Sequence, residues 1–258
     1  MSDDSLQGVT VLVTRPSQQA GGLCDLIQHL GGKALDFPVI EIRNIEPDAQ
    51  LQSTLAELDK FDIAVFISAN AVVYALDKLP PGAKWPQSVS IAAIGRATAA
   101  ALEAEGYRVS IKPEGRFSSE GLLATPAMQN VQNKRIIIFR GEGGRQALAD
   151  SLQSRGAKTF YANVYQRVLP AYKAGEFAAC WQQNVDMMVT TSSEGIKNLS
   201  ELAQTDNISQ VFQVPLVVMS ERSAEFARKI GFNSDIIVVE EISDQGIVDA
   251  LVKYKGLP

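Results

Sequence analysis

The sequence predicts an α/β protein of two similar parallel-sheet domains, and three observations carry that prediction. The chain repeats itself at an offset of 125 residues, the difference between Arg140 and Arg15. Residues 9–13 followed by Thr14-Arg15 align with 134–139 followed by Arg140, and Leu30-Gly31-Gly32-Lys33 with Arg155-Gly156-Ala157-Lys158. The register holds to the end of the unit, where Phe117-Ser118-Ser119-Glu120-Gly121-Leu122 meets Ile242-Ser243-Asp244-Gln245-Gly246-Ile247. Each copy also alternates short apolar runs with amphipathic stretches, the order that builds βαβ units. Those apolar runs are nearly continuous, as in strands buried on both faces of a parallel sheet.

Taken in order, strands are predicted in the first copy near residues 9–13, 34–42, 63–67, 89–94 and 109–112. Helices are predicted between them, over 18–30, 51–59, 71–79, 97–105 and 119–128. The first helix places Leu23, Leu26, Ile27 and Leu30 at i, i+3, i+4 and i+7, and Gly31-Gly32 stops it. Residues 37–47 and 163–170 occupy equivalent places and read as extended segments ending at proline. A tandem pair of domains would divide near residue 130. A swapped pair would cross over at the two extended stretches, and the residues alone leave both open.

The composition narrows the function classes. A 258-residue chain with 46% hydrophobic residues has material for two cores. Its net charge of −5 argues against nucleic-acid or anionic-membrane partners, which want a basic excess. An anionic small ligand stays open, because backbone dipoles bind one even on an acidic protein. Residues 1–7 are polar and include Asp3-Asp4, unlike a signal peptide, and the apolar runs are too short to span a bilayer. A cytoplasmic location is the expectation. Cys24 and Cys180 show no metal spacing and are expected to be buried thiols. His29 is the single histidine and falls inside a helix, so a histidine triad or histidine metal cluster is excluded. No GxGxxG follows Val13, and Arg140-Gly141-Glu142-Gly143-Gly144 lacks the P-loop ending, which weakens a nucleotide reading. Glu240-Glu241 reads as solvated charge.

In an open parallel sheet, ligands bind beyond the carboxyl ends of the strands. Four kinds of turn fall there, each occurring twice. Thr14-Arg15 and Arg140-Gly141 follow the first strand; Ser68-Ala69-Asn70 and Thr191-Ser192-Ser193 follow the third. Gly95-Arg96-Ala97-Thr98 and Ser220-Glu221-Arg222-Ser223 follow the fourth, and Phe117-Ser118-Ser119 and Ile242-Ser243-Asp244 the fifth. Small hydroxyl residues before a helix are good N-caps, which is their purely structural use. They also let an anion approach a helix N-terminus closely. Tyr165, in Val164-Tyr165-Gln166-Arg167, is either a packed strand tyrosine or a phenol facing a cleft, able to donate a proton.

These motifs together resemble the uroporphyrinogen-III synthase family over nearly the whole chain. The resemblance rests on Val11-Leu12-Val13-Thr14-Arg15-Pro16, Phe66-Ile67-Ser68-Ala69-Asn70-Ala71-Val72 and Ala93-Ile94-Gly95-Arg96-Ala97-Thr98-Ala99. Val164-Tyr165-Gln166-Arg167 and Arg116-Phe117-Ser118-Ser119-Glu120-Gly121-Leu122 add to it. The resemblance implies a cofactor-free hydro-lyase that removes water from hydroxymethylbilane, inverts the last pyrrole ring through a spiro intermediate and closes the macrocycle. It implies the swapped layout, with residues 1–37 and 171–258 in one domain, 42–163 in the other, and 38–41 and 164–170 as linker strands. It implies a ligand between the domains, held largely by turn N–H groups, and possible hand-over from hydroxymethylbilane synthase.

Carried over residue by residue, the resemblance falls on Ser68, Asn70, Thr98, Tyr165, Ser192 and Ser223. Tyr165 is the candidate to assist loss of the hydroxyl, and Thr98, Ser192 and Ser223 to bond propionate or acetate groups. The remaining turn residues, Arg15, Ala69, Gly95, Arg96, Ala97, Phe117, Ser118, Arg140, Gly141, Thr191, Ser193, Ser220 and Arg222, are candidate substrate contacts. The chain departs from the family pattern with serine at 223, often threonine, and Ser220-Glu221 in place of a glycine turn. Thr191-Ser192-Ser193 aligns with the hydroxyl-rich turn only to within a residue. A non-catalytic two-domain clamp for an anionic ligand is the alternative, and a nucleotide-dependent transferase a weaker one.

Overall fold

The computed structural model describes residues 4–79, 85–115, 117–144 and 146–256. From the N-terminus, β1 (Thr10–Val13), α1 (Ser17–His29) and β2 (Lys33–Asp36) make a first βαβ unit. Then come β3 (Glu41–Asn44), α2 (Ala49–Ala56), β4 (Ile63–Phe66), α3 (Ala69–Leu76), β5 (Ser90–Ala93) and α4 (Arg96–Ala104). Two short helices, α5 (Ser119–Leu123) and α6 (Pro126–Gln129), lead into β6 (Arg135–Gly141), α7 (Ala147–Ser154) and the long β7 (Lys158–Val168). The rest is α8 (Glu176–Trp181), β8 (Met187–Thr190), α9 (Ser193–Thr205), β9 (Leu216–Val218), α10 (Glu221–Lys229), β10 (Ile236–Val238) and α11 (Asp244–Lys255).

The chain divides into two compact units, Met1–Glu41 with Val168–Pro258, and Ile42–Arg167. In the first unit the sheet order is β10-β9-β8-β1-β2, with all neighbours parallel. In the second it is β3-β7-β6-β4-β5, with β7, β6, β4 and β5 parallel. Each sheet therefore draws strands from both sequence repeats: β1 pairs with β8, and β6 with β4. The strand order reverses at those two pairs, which is where a doubly wound sheet opens a crevice at its carboxyl edge.

Burial on both faces explains the continuous apolar runs. Val11 and Val13 pack with Leu23, Ile27, Val189, Ile247 and Leu251 on one face of the first sheet, while Leu12 is buried on the other. In the second unit Ile63, Val65, Ile136 and Ile138 pack with Leu122, Met128, Leu148 and Leu152. Each such side chain contributes about 1.5–3 kcal/mol by leaving water, so the cores hold the sheet edges in place.

Several expectations are corrected at element ends. The strand expected over 34–42 is two strands, β2 and β3, each at the edge of a different sheet, with Pro38 in the stretch between them. Residues 109–112 form no strand; only Ile111 bridges Ala92. The helix expected over 119–128 breaks into α5 and α6, with Pro126 at the first position of the second. Residues 164–168, expected within a linker strand, are the last part of β7. Arg140 and Gly141, expected in a turn, are the last two residues of β6. Cys24 and Cys180 are half-buried free thiols, not fully buried ones; burial still pushes both above the usual thiol range.

Candidate functional site

Parallel strands put every strand-to-helix turn of a sheet on the same edge. In the second unit that edge carries Ser68-Ala69-Asn70, Gly95-Arg96-Ala97-Thr98, Phe117-Ser118, Arg140-Gly141 and Tyr165. In the first unit it carries Arg15, Thr191-Ser192-Ser193, Ser220, Arg222 and Ser223.

The hydroxyl turns are N-caps. Ser68 Oγ accepts from Ala71 N at 3.0 Å, Ser192 Oγ from Gly195 N at 3.0 Å and Ser220 Oγ from Ser223 N at 3.3 Å. Ser118 and Ser243 do the same for α5 and α11. This structural use does not consume the turns: a capping serine accepts one bond and keeps its own proton to donate. The cap also fixes the alignment of the second-copy turn, because Ser68 and Ser192 play the same part before α3 and α9. Ala69, Asn70, Ser193, Arg96, Ala97, Thr98, Arg222 and Ser223 then fall in the first turns of their helices. Gly95, the N-cap of α4, offers no side-chain oxygen, so the first-turn N–H groups through Thr98 receive no side-chain cap.

Among the described residues, the candidates differ in access. Arg96 and Phe117 are both exposed and stack, with the guanidinium 4.5 Å from the ring centroid. Thr98 and Ser223 are buried, and Ser223 Oγ bonds Ser220 Oγ at 3.1 Å. Arg15 is buried and gives NH1 to Asp244 Oδ1 at 2.6 Å and to the Gln19 carbonyl at 3.1 Å. Arg140 is buried too; its Nε donates to Asn163 Oδ1 at 3.2 Å and its guanidinium lies 4.1 Å from the Tyr161 ring centroid. Arg116, part of the Phe117 motif, lies outside the described residues.

Tyr165 is fully buried. Its Oη lies 3.1 Å from Ser68 Oγ and accepts from Arg167 Nη2 at 3.2 Å. Tyr74 packs at 5.8 Å between ring centroids. Gly141 faces the Tyr165 ring so closely that a Cβ there would stand 2.5 Å from Cε2.

Sequence reasoning placed Asp244 in a strand-end turn and Arg167 in the Tyr165 motif without giving either a role, and gave none to Asn163 and Tyr161. Tyr161 and Asn163 alternate on the face of β7 that Arg140 shares, and the register shifts at Arg140/Gly141, so that Tyr165 pairs with Gly141 instead. Asp244 sits 229 residues from Arg15, and no local pattern joins them. His29 bonds within its helix, through Nδ1 to the Asp25 carbonyl. No group of three or more His, Cys, Asp or Glu side chains suited to a metal occurs among the described residues.

The family described as "Uroporphyrinogen-III synthase HemD" matches residues 23–249. The chain is 36% identical to the uroporphyrinogen-III synthase of Escherichia coli K12, covering 94% of this chain and all of that one. It is 35% identical to the protein of the same name from Salmonella typhimurium, again over 94% of this chain and all of its relative. Among solved structures, a uroporphyrinogen-III synthetase from Helicobacter pylori aligns at TM-score 0.66 and 16% identity, covering 95% of this chain and 99% of that one. A mutant uroporphyrinogen III synthase from Thermus thermophilus aligns at TM-score 0.63 and 17% identity, covering 96% of this chain and 100% of that one, which shows a shared fold. With curated relatives matched end to end and a family match spanning most of the sequence, the chain belongs to the uroporphyrinogen-III synthase family.

Proposed function

We propose that this chain is an enzyme of tetrapyrrole synthesis, a hydro-lyase that cyclises hydroxymethylbilane to uroporphyrinogen III. The linear substrate bears eight carboxylates. It loses its terminal hydroxyl as water, inverts the last pyrrole ring through a spiro intermediate and closes. The observation that carries this reading is the 36% identity to a relative named uroporphyrinogen-III synthase, across the whole of that relative. A non-catalytic clamp is not favoured, since the matched relatives bear an enzyme's name. A cytoplasmic location and supply by hydroxymethylbilane synthase belong to the same reading; no described helix is long and apolar enough to cross a membrane.

The geometry supports it through the sheet edges. The first-turn N–H groups of α3, α4, α9 and α10 meet carboxylates, each contact contributing about 0.3–1 kcal/mol at a helix N-terminus. Arg96 and Phe117 offer an exposed cation and an apolar ring side by side. Thr98 and Ser223, being buried, act through backbone and neighbours: Thr98 by its N–H, Ser223 by orienting Ser220. Selecting the inverted product is a problem of positioning the attacking carbon and stabilising developing charge. Fresh hydroxymethylbilane given to the purified protein, followed by oxidation and chromatography, should yield mainly the type III isomer. Type I alone from folded protein would overturn the reading.

A further inference from the structure

The Tyr165 phenol has no exposed surface, while Ser68 beside it is half-buried. We propose that Ser68 presents the hydroxyl proton to the bound ligand and that Tyr165 is a positioning residue acting through it, seated by Gly141 and oriented by Arg167. The proposal rests on the enzymatic reading above and assigns the order of groups within it.

The direction of the chain follows from which atoms can only donate. Arg167 Nη2 donates to Tyr165 Oη, since a guanidinium has no acceptor. Ala71 N–H donates to Ser68 Oγ. By distance either hydroxyl can donate across the 3.1 Å contact between Tyr165 and Ser68. If Ser68 donated, the phenolic proton would turn into a buried space where Arg167 offers it no lone pair, and an unsatisfied buried donor is costly. A phenolic O–H is also a stronger hydrogen-bond donor than an aliphatic hydroxyl. Tyr165 therefore donates to Ser68. Ser68 Oγ then accepts twice, from Tyr165 and from Ala71, and both of its lone pairs are engaged. Its own proton is the one that points away from the chain, from the one member of the pair with exposed surface.

Gly141 makes the seat. A Cβ at that position would lie 2.5 Å from Cε2, 2.6 Å from Cζ and 3.0 Å from Oη of Tyr165, so any larger residue moves the ring. The backbone ties the two strands at the same place, with Glu142 N donating to the Tyr165 carbonyl at 2.8 Å. The phenol is fixed from the side of β6 and from the side of Arg167.

A double-mutant cycle separates action through Ser68 from direct action on the ligand. Hydroxymethylbilane consumption and the type III fraction are measured for wild type, Tyr165→Phe, Ser68→Gly and the double variant. Glycine at 68 removes the hydroxyl yet remains an acceptable N-cap; Ser68→Ala and the melting midpoint of each variant are run beside it. Tyr165→Phe is expected to lower kcat by about tenfold with KM changed less than about twofold, the pattern of an interaction strengthened in the transition state. With glycine at 68, the same Tyr165→Phe change is expected to alter kcat by less than about twofold. Gly141→Ala is expected to lower kcat with serine at 68 and not with glycine there. Arg167→Met is expected to follow Gly141→Ala, and Arg167→Lys to recover part of the loss. A full further loss from Tyr165→Phe in the Ser68→Gly background would overturn the inference, because Tyr165 would then act directly. Failure of the wild type to form type III isomer would instead overturn the proposed function.

Discussion

Arg15 and Arg140 stand 125 residues apart in the repeat, near the carboxyl ends of corresponding strands of two sheets, yet they meet different partners. In the first unit Arg15 reaches across to the Asp244 carboxylate at the start of α11. In the second, Arg140 has the Asn163 amide and the Tyr161 ring among its partners. The last helices differ as well. The first unit has α11 unbroken over Asp244–Lys255, whereas its counterpart is divided into α5 and α6. The tyrosines differ in what they hold. Tyr172 donates to the Pro38 carbonyl and stacks on Phe37 at 4.3 Å, whereas Tyr165 bonds a turn serine. Two units that share a four-strand order, β9-β8-β1-β2 and β5-β4-β6-β7, thus keep the backbone plan and reassign the polar side chains at its edge. Backbone topology is set by many apolar contacts, but each polar pairing depends on one or two residues.

The helix contrast gives the largest expected effect. Leu251, fully buried in α11, aligns with Pro126 at the 125-residue offset. Leu251→Pro removes a hydrogen bond and clashes in a helix interior, and should cost more than about 3 kcal/mol. Pro126→Ala alters a first helical position and should change stability by less than about 1 kcal/mol. Urea unfolding of both variants checks the pair; comparable losses would break the contrast. The arginine contrast is smaller. Asp244→Ala leaves a buried guanidinium short of its carboxylate, and because Asp244 is 37% exposed the cost is discounted to about 1–2 kcal/mol. Asn163→Ala removes one neutral acceptor, about 1 kcal/mol. The Asp244 effect should shrink at high salt and the Asn163 effect should not.

The tyrosine contrast is the finest. Burial, helped by Asp36, pushes the Tyr172 phenol up to about 12 from its ordinary value near 10. A folded-state pKa raised above the unfolded one gives stability present below about pH 10 and lost as pH rises through about 12. Tyr172→Phe should therefore lower stability at neutral pH by about 1 kcal/mol or less and flatten the alkaline decline. It should leave kcat unchanged, the reverse of Tyr165→Phe. Denaturant midpoints across that range, with kcat at neutral pH, decide it. An equal kcat loss in both would erase the distinction between a structural phenol and a working one.

The hydroxyl turns were legible because capping is local: Ser68, Ser118, Ser192, Ser220 and Ser243 each accept from a backbone N–H three residues on. The register of Thr191-Ser192-Ser193 was legible only to within a residue, since consecutive hydroxyls cap equally well until the helix start is fixed. Ile236-Ile237-Val238 forms β10, whereas Ser110-Ile111-Lys112 places one apolar residue between polar ones, ahead of Pro113, and gives a lone bridge. The strand expected over 109–112 overstated that single apolar residue. Tyr165 carried two readings in sequence, and Gly141 was named as a turn residue, with nothing local to mark it as the seat of the Tyr165 ring.

The sequence by itself determined the α/β class, the 125-residue repeat, the turns at the strand ends and the residues that cap them. These are written in periods of two and 3.6 and in contacts within a few positions, which one chain displays directly. Only the tertiary structure decided that β1 pairs with β8 and β6 with β4, that Asp244 meets Arg15, and that Gly141 opens a seat for Tyr165. Those choices depend on which surfaces fit when distant segments are brought together, and shape complementarity across a packed sheet leaves no periodic trace in the chain.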